Sequence, residues 1–291
     1  MSAVDAALRG DPPVTPLISV RKLCKTFGDA GGWLSRGGNV VKAVDDVSFD
    51  IFAGETLGIV GESGSGKSTT GRLIMRLIEP TGGSVHMGGH DLTHLGHTRM
   101  RAYRKAMGIV FQDPFSSLNP RMRIDEIVSE PLAIHGIGAH RERAARVAAM
   151  VDRVGLPAAF LKRHPHELSG GQRQRVGIAR ALILQPRFIV CDEAVSALDV
   201  SIQAQIINLL DDLQREMALT YLFISHNLAV VRHIADRVAV MRRGRVVEIG
   251  DTQSVFRAPQ HEYTQSLLAA IPDPRAWKAR RAVTHRVAEG A

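Results

Sequence analysis

Gly61-Glu62-Ser63-Gly64-Ser65-Gly66-Lys67-Ser68-Thr69 decides the fold of this chain. The stretch follows the apolar run Thr56 to Val60 and opens a segment read as a helix, which is the strand–loop–helix setting that G-x-x-x-x-G-K-[ST] needs in order to hold phosphate. Glycines let the backbone wrap closely, so that successive N–H groups point inward onto phosphate oxygens. Lys67 is expected to reach the β and γ phosphates and Ser68 to ligate Mg²⁺. The helix beginning there turns its positive end toward the anion.

Outward from this loop, short apolar runs suggest strands at Leu17 to Phe27, Val44 to Phe52, Thr56 to Val60, Met107 to Phe111, Phe188 to Cys191 and Tyr221 to Ile224. Helix-like segments separate the later ones, and that alternation predicts an α/β fold whose core sheet is largely parallel. From about Asp113 to Leu168 the pattern changes. Apolar residues recur at helical spacing around Ile124 to Ile134 and Ala144 to Val154, which predicts a helical subdomain inserted in the α/β unit. Val238 to Met241 and Arg245 to Ile249 flank Arg242-Arg243-Gly244 and should form a hairpin. No repeat of solenoid period is visible.

A second constellation lies where the run Phe188 to Cys191 ends in Asp192-Glu193. Two acids after an apolar run are by themselves only a strand terminus. Paired with a phosphate loop, an Asp leaving a buried strand suits a second-shell hold on Mg²⁺, and the adjacent Glu suits polarisation of an attacking water.

Between the two stands Leu168-Ser169-Gly170-Gly171-Gln172, a helix-entry turn by composition. In wording and in position it resembles the signature of the ATP-binding cassette (ABC) ATPases. The resemblance covers about residues 17 to 271 and implies a P-loop NTPase cassette with a mixed core sheet, an antiparallel β subdomain and the inserted helical subdomain. It also implies roles. Gln112 resembles the glutamine that touches Mg²⁺ and leads into the helical subdomain, Asp199 in Ala197-Leu198-Asp199 resembles the D-loop acid, and His226 resembles the switch histidine that contacts the γ-phosphate. Phe27 stands where the family places an aromatic ring on adenine, while a core-facing Phe fits the same pattern. By the resemblance, Ser169, Gly170, Gly171 and Gln172 of one cassette close over ATP bound to another. Glu193, His226 and Lys67 then carry the hydrolysis.

Finer wording resembles the ATPase subunits of oligopeptide and dipeptide importers, in the run from Phe111 to Pro120 and in the run from Ala194 to Gln205. Ala258-Pro259-Gln260-His261-Glu262-Tyr263-Thr264 resembles the tail element of that branch, with Glu262 in place of its usual proline. The branch implies two membrane permease subunits, a second ATP-binding subunit, an extracytoplasmic substrate-binding protein acting indirectly, and a peripheral place on the cytoplasmic face of the inner membrane. Some members carry an iron–sulfur cysteine cluster near the C-terminus. No cysteine follows Cys191 here, so that cofactor is not expected. Metabolite kinases with a phosphate loop lack the Leu168 to Gln172 signature. A non-transport ABC module, such as a component of phosphonate breakdown, is the competing expectation.

Composition fits this reading. Of 291 residues 45% are hydrophobic and 23% charged, which excludes disorder as the main state. Lys plus Arg number 37 against 29 Asp plus Glu, for a net charge of +8. Half of that excess falls in residues 275–291, where Arg275, Lys278, Arg280, Arg281 and Arg286 oppose Glu289. That tail reads either as a solvated end or as a contact for anionic lipid, and nothing in it resembles a nucleic-acid reader. The expected organisation is a tail at 1–16, the ATPase domain at 17–257 with its helical subdomain at about 113–168, the importer-type element at 258–274 and the basic tail at 275–291. Met217 to Val231 is the longest run without Asp, Glu, Lys or Arg; it contains His226 and Asn227 and is too short to span a membrane. Cys24 and Cys191 cannot make a disulfide framework, and no secretory signal is visible.

Overall fold

The computed structural model describes residues 15–28 and 40–270. The basic tail at 275–291 and nearly all of the segment at 1–16 lie outside the described residues. In chain order the elements are β1 (Ile18–Phe27), β2 (Val41–Ile51), β3 (Thr56–Val60), α1 (Lys67–Ile74), β4 (Gly82–Met87), β5 (His90–Asp91), α2 (His97–Arg104), β6 (Met107–Val110), α3 (Pro114–Ser117), α4 (Ile124–Ile134) and α5 (His140–Arg153). Two 3₁₀ turns, Ala158–Lys162 and Pro165–Glu167, lead to α6 (Gly170–Leu182). Then follow β7 (Phe188–Asp192), α7 (Val200–Met217), β8 (Thr220–Ile224), α8 (Leu228–Ile234), β9 (Arg237–Arg242), β10 (Arg245–Asp251), α9 (Thr252–Arg257) and α10 (Glu262–Ala269).

Every residue of β3, β7 and β8 is buried, because these strands lie inside a six-stranded sheet ordered β10-β9-β3-β8-β7-β6. All its pairings are parallel except the terminal β9–β10 hairpin, so the core sheet is mixed. Strand periodicity divides two cores. Cys191, Tyr221 and Phe223 face the layer containing α4, α6 and α7, whereas Val190, Leu222 and Ile224 face the layer containing β1 and β2. That second layer is covered by an antiparallel sheet ordered β2-β1-β4-β5. Alternating burial in β1 and β2 reflects one face packed on the core and one facing out.

β4 and β5 are additions to the strands expected from sequence. Gly82-Gly83 and Gly88-Gly89 frame β4 and read locally as turns, and only Val85 and Met87 within it are fully buried. Pairing with β1 makes it a strand. The segment from 113 to 168 is helical throughout its regular elements, and the second of the expected helices starts earlier than its apolar run, at His140.

Strand register explains where function gathers. Ile59 pairs with Ile224, Asp192 also pairs with Ile224, and Val110 pairs with Cys191. The carboxyl ends of β3, β8, β7 and β6 are therefore level, and the loops leaving them open on one edge, the place where open α/β sheets bind ligands.

Candidate nucleotide site

The loop after β3 is braced from behind. Gly61 has φ +151° and Gly66 φ +101°; a Cβ on Gly61 would meet the Met241 carbonyl oxygen at 2.1 Å and one on Gly66 the Ala43 carbonyl oxygen at 2.3 Å. Glycine is required at both positions by conformation and by this close approach. Arg243 and Gly244, both at positive φ, form the tight turn of the β9–β10 hairpin, and the Gly244 N–H donates to the Ser65 carbonyl at 2.9 Å.

Lys67 is buried, and its Nζ donates to the Gly61 and Glu62 carbonyls, both at 2.8 Å. Burial pushes the ammonium below the usual lysine range, while Glu193, Asp192 and Glu62 oppose that shift. Ser68 Oγ donates to Asp192 Oδ1 at 2.5 Å. Asp192 is 3% exposed; burial raises its carboxyl above the ordinary range against the Ser68 hydrogen bond and Arg72, whose guanidinium is 3.8 Å from Oδ2.

Glu193 leaves β7 in the left-handed region at φ 49°, with its N–H donating to the Ile224 carbonyl at 2.9 Å. Its Oε2 accepts from Gln112 Nε2 at 2.9 Å and lies 3.4 Å from His226 Nδ1. This convergence follows from strand order: β7 runs between β6 and β8, so the residue after β7 is flanked by those leaving its neighbours. His226 is held in the short link between β8 and α8. The Ser225 hydroxyl accepts from Asn227 N–H at 3.0 Å, and Asn227 Oδ1 caps α8 through Ala229 and Val230.

The site fits a nucleoside triphosphate with its cation. The first N–H groups of α1 have no intrahelical partner, and no side chain caps them. Ser65 Oγ is buried without a hydrogen-bond partner among the described residues. A lysine, a run of amides and an unsatisfied hydroxyl are donors waiting for phosphate oxygens, and the Ser68–Asp192 oxygens suit a hard divalent cation. Gln112 is grouped with Glu193 rather than with Ser68.

The signature residues lie elsewhere. Ser169 caps α6 in a reciprocal box: its N–H donates to Gln172 Oε1 at 2.9 Å and its Oγ accepts from Gln172 N–H at 3.4 Å. Ser169 is exposed, so the positive end of a 13-residue helix faces outward. A Cβ on Gly171 would meet Ile202 of α7 at 2.6 Å, which ties the signature to the helix that the exposed Asp199 begins. No hydrogen bond among the described residues joins Ser169 to Gln172 with the phosphate loop. Phe27 is 44% exposed at the end of β1 with the Lys25 ammonium 5.1 Å from its ring centroid, so the core-facing alternative is set aside.

Sequence reading missed one contact of the loop. Tyr263 in α10 accepts a hydrogen bond from the Glu62 N–H at 3.1 Å, across 201 residues. No local pattern announces a pairing at that separation. The departure at Glu262 also has a physical basis. It occupies the first helical position after the cap His261, where proline is favoured for its missing N–H and where a carboxylate is favoured by the helix dipole.

The family model described as ABC transporter matches residues 44–196, and the one described as oligopeptide/dipeptide transporter, C-terminal region matches residues 247–289. A putative peptide import ATP-binding protein of Brucella ovis is 54% identical over 260 residues, covering 89% of this chain and 80% of that protein. The glutathione import ATP-binding protein GsiA of Escherichia coli K12 is 53% identical over 257 residues, covering 88% of this chain and 41% of that protein. A dimeric ATP-binding cassette in a post-hydrolysis state with ADP and Pi superposes with a TM-score of 0.71 at 31% identity, over 81% of this chain and 98% of that one. cbiO1 from Clostridium perfringens superposes with a TM-score of 0.73 at 26% identity, over 91% and 99%. With the phosphate loop, the acidic strand end and the capped signature helix all present, the chain belongs to the ABC transporter family, as an ATP-hydrolysing subunit of the branch that carries the oligopeptide/dipeptide C-terminal region.

Proposed function

We propose that this ATPase powers uptake of dipeptides and oligopeptides through two membrane permease subunits, acting peripherally on the cytoplasmic face of the inner membrane. The second ATP-binding subunit is either another copy or a related chain, and an extracytoplasmic binding protein delivers the substrate. Relatives named for peptide and glutathione import support this reading over a non-transport module. Among the described residues no helix is long and apolar enough to cross a membrane.

In this reading Lys67 and the amides from Gly61 to Thr69 hold the β and γ phosphates, and Phe27 stacks on adenine. Ser68 and Gln112 would hold Mg²⁺, with Asp192 acting on it through the Ser68 hydroxyl rather than directly; when bound, the ion neutralises charge on the phosphate oxygens. Glu193 orients and polarises the attacking water, while His226 steadies both Glu193 and the γ-phosphate. Ser169, Gly170, Gly171 and Gln172 of a facing cassette complete the site, with Asp199 at the same junction. Hydrolysis reopens the cassette pair and resets the permeases.

The observation that carries the mechanism is the meeting of Gln112 and His226 on one oxygen of Glu193. Coexpression with the permeases and binding protein, followed by uptake of labelled peptides into ATP-loaded proteoliposomes, tests the whole reading. ATP-dependent accumulation is expected. Hydrolysis that never couples to peptide movement would overturn it.

A further inference from the structure

The peptide group between Gly61 and Glu62 is held at both ends. Its carbonyl, on Gly61, accepts from Lys67 Nζ at 2.8 Å, and its N–H, on Glu62, donates to the Tyr263 hydroxyl at 3.1 Å. A peptide unit is planar and turns as one body, so whatever fixes the N–H also fixes the carbonyl that receives the lysine. The Glu62 carbonyl accepts from the same Nζ, so Lys67 is steered by two carbonyls whose shared residue is pinned by Tyr263.

Tyr263 is itself rigidly presented. It is 6% exposed, its N–H donates to His261 Nδ1 at 3.0 Å, and the Arg242 guanidinium lies over its ring at 4.8 Å from the centroid. Glu248 of β10 holds the start of the element by accepting from the Gln260 N–H at 2.8 Å and the His261 N–H at 3.1 Å. A cavity of ≈ 110 Å³, partly open to solvent, lies beside this assembly and is lined by Glu62, Ser65, Arg242, Arg243 and Tyr263.

We infer that Tyr263 is a positioning residue for nucleotide binding, acting through the Gly61–Glu62 peptide on Lys67, and that the C-terminal element thereby sets the affinity of the phosphate loop. The hydroxyl supplies one hydrogen bond to a backbone amide, and its loss corresponds to an affinity change of about three- to tenfold.

The test uses the full-length chain with Mg²⁺ and either ADP or a non-hydrolysable ATP analogue. Tyr263→Phe keeps the ring, its burial and the Arg242 contact while removing only the hydroxyl. The expected result is an about three- to tenfold weaker dissociation constant for both nucleotides, with faster hydrogen exchange at the Glu62 amide. In a Lys67→Ala background the same substitution should change affinity by less than about twofold, because the group it acts through is gone. A merely structural role predicts an equal loss in both backgrounds, and that result would overturn the inference. So would an unchanged affinity of Tyr263→Phe, or an unprotected Glu62 amide in the parent chain, a measurement that needs no variant to fold. Absence of nucleotide binding by the parent chain would instead overturn the reading of the loop itself, on which this inference rests.

Discussion

Gln112 and Glu193, 81 positions apart, are joined by a hydrogen bond of 2.9 Å from Nε2 to Oε2, and the oxygen that accepts it also faces His226. A carboxylate that loses charge here keeps its place, since Gln112 and His226 can still bond to a neutral acceptor. Glu193→Gln is therefore expected to preserve nucleotide affinity within about twofold while lowering hydrolysis by about 10²- to 10⁴-fold, the range ascribed to a positioned general base. Single-turnover hydrolysis beside equilibrium nucleotide binding checks both parts. Turnover near the parent rate would assign the water to another group.

Ser169 and Gln172 satisfy each other at the head of α6 and leave that helix end exposed and apart from the loop on the same chain. An arginine at the cap position removes the Oγ acceptor, at a cost of about 1 kcal/mol to the helix, and sets a cation against its positive end. Ser169→Arg should bind nucleotide as the parent does yet fail to form an ATP-dependent dimer. Light scattering in the Glu193→Gln background, where ATP persists, makes the comparison. Normal dimerisation of the double variant would contradict closure over Ser169.

Asp192 carries a conflict between stability and function. Burial raises its carboxyl pKa, with Ser68, Arg72 and Lys67 compensating only in part. A carboxylate whose folded pKa lies above its unfolded value disfavours folding at neutral pH, and that penalty shrinks as pH falls through the folded value. Asp192→Asn should consequently stabilise the nucleotide-free chain by on the order of 1 kcal/mol near pH 7, with the gain vanishing in acid. The same change should raise the Mg²⁺ concentration needed for half-maximal hydrolysis by about tenfold or more. Melting curves across pH and Mg²⁺ titrations of the rate measure the two effects; a variant that melts lower at pH 7 would refute the conflict.

How much of this was legible beforehand depended on range. The phosphate loop, the all-buried strands β3, β7 and β8 and the hairpin β9–β10 are written in contiguous residues, and each appears with nearly the bounds its composition suggests. β4 escaped notice because its two leading glycines outweigh two buried apolar residues until β1 supplies the partner. Glu193 with its neighbours is different again. The residues were legible singly, but their meeting depends on β7 running between β6 and β8, a fact about sheet order that no local pattern encodes. Tyr263 against Glu62 is the extreme case, since a backbone N–H has no side-chain identity to read.

Glu248 offers a pH test of how the C-terminal element is held. Partial burial raises its carboxyl, but the N–H groups of Gln260 and His261, the Thr264 side chain and the nearby His261 ring outweigh that and bring it below the ordinary carboxylate range. A carboxyl whose folded pKa is depressed contributes stability above its unfolded pKa and loses it as pH falls through the folded value. Charge-assisted bonds to two backbone amides suggest on the order of 1 kcal/mol, a figure already reduced because the side chain is only half-buried. Glu248→Gln should thus unfold at lower urea than the parent at pH 7, and the two midpoints should converge as pH drops below about 4, the unperturbed range of a glutamate. If Tyr263 works through the loop as inferred, the same variant should weaken nucleotide binding at pH 7, because an element released from β10 no longer presents its hydroxyl to Glu62. A urea midpoint gap that persists unchanged into acid would show that charge on Glu248 is not what anchors α10.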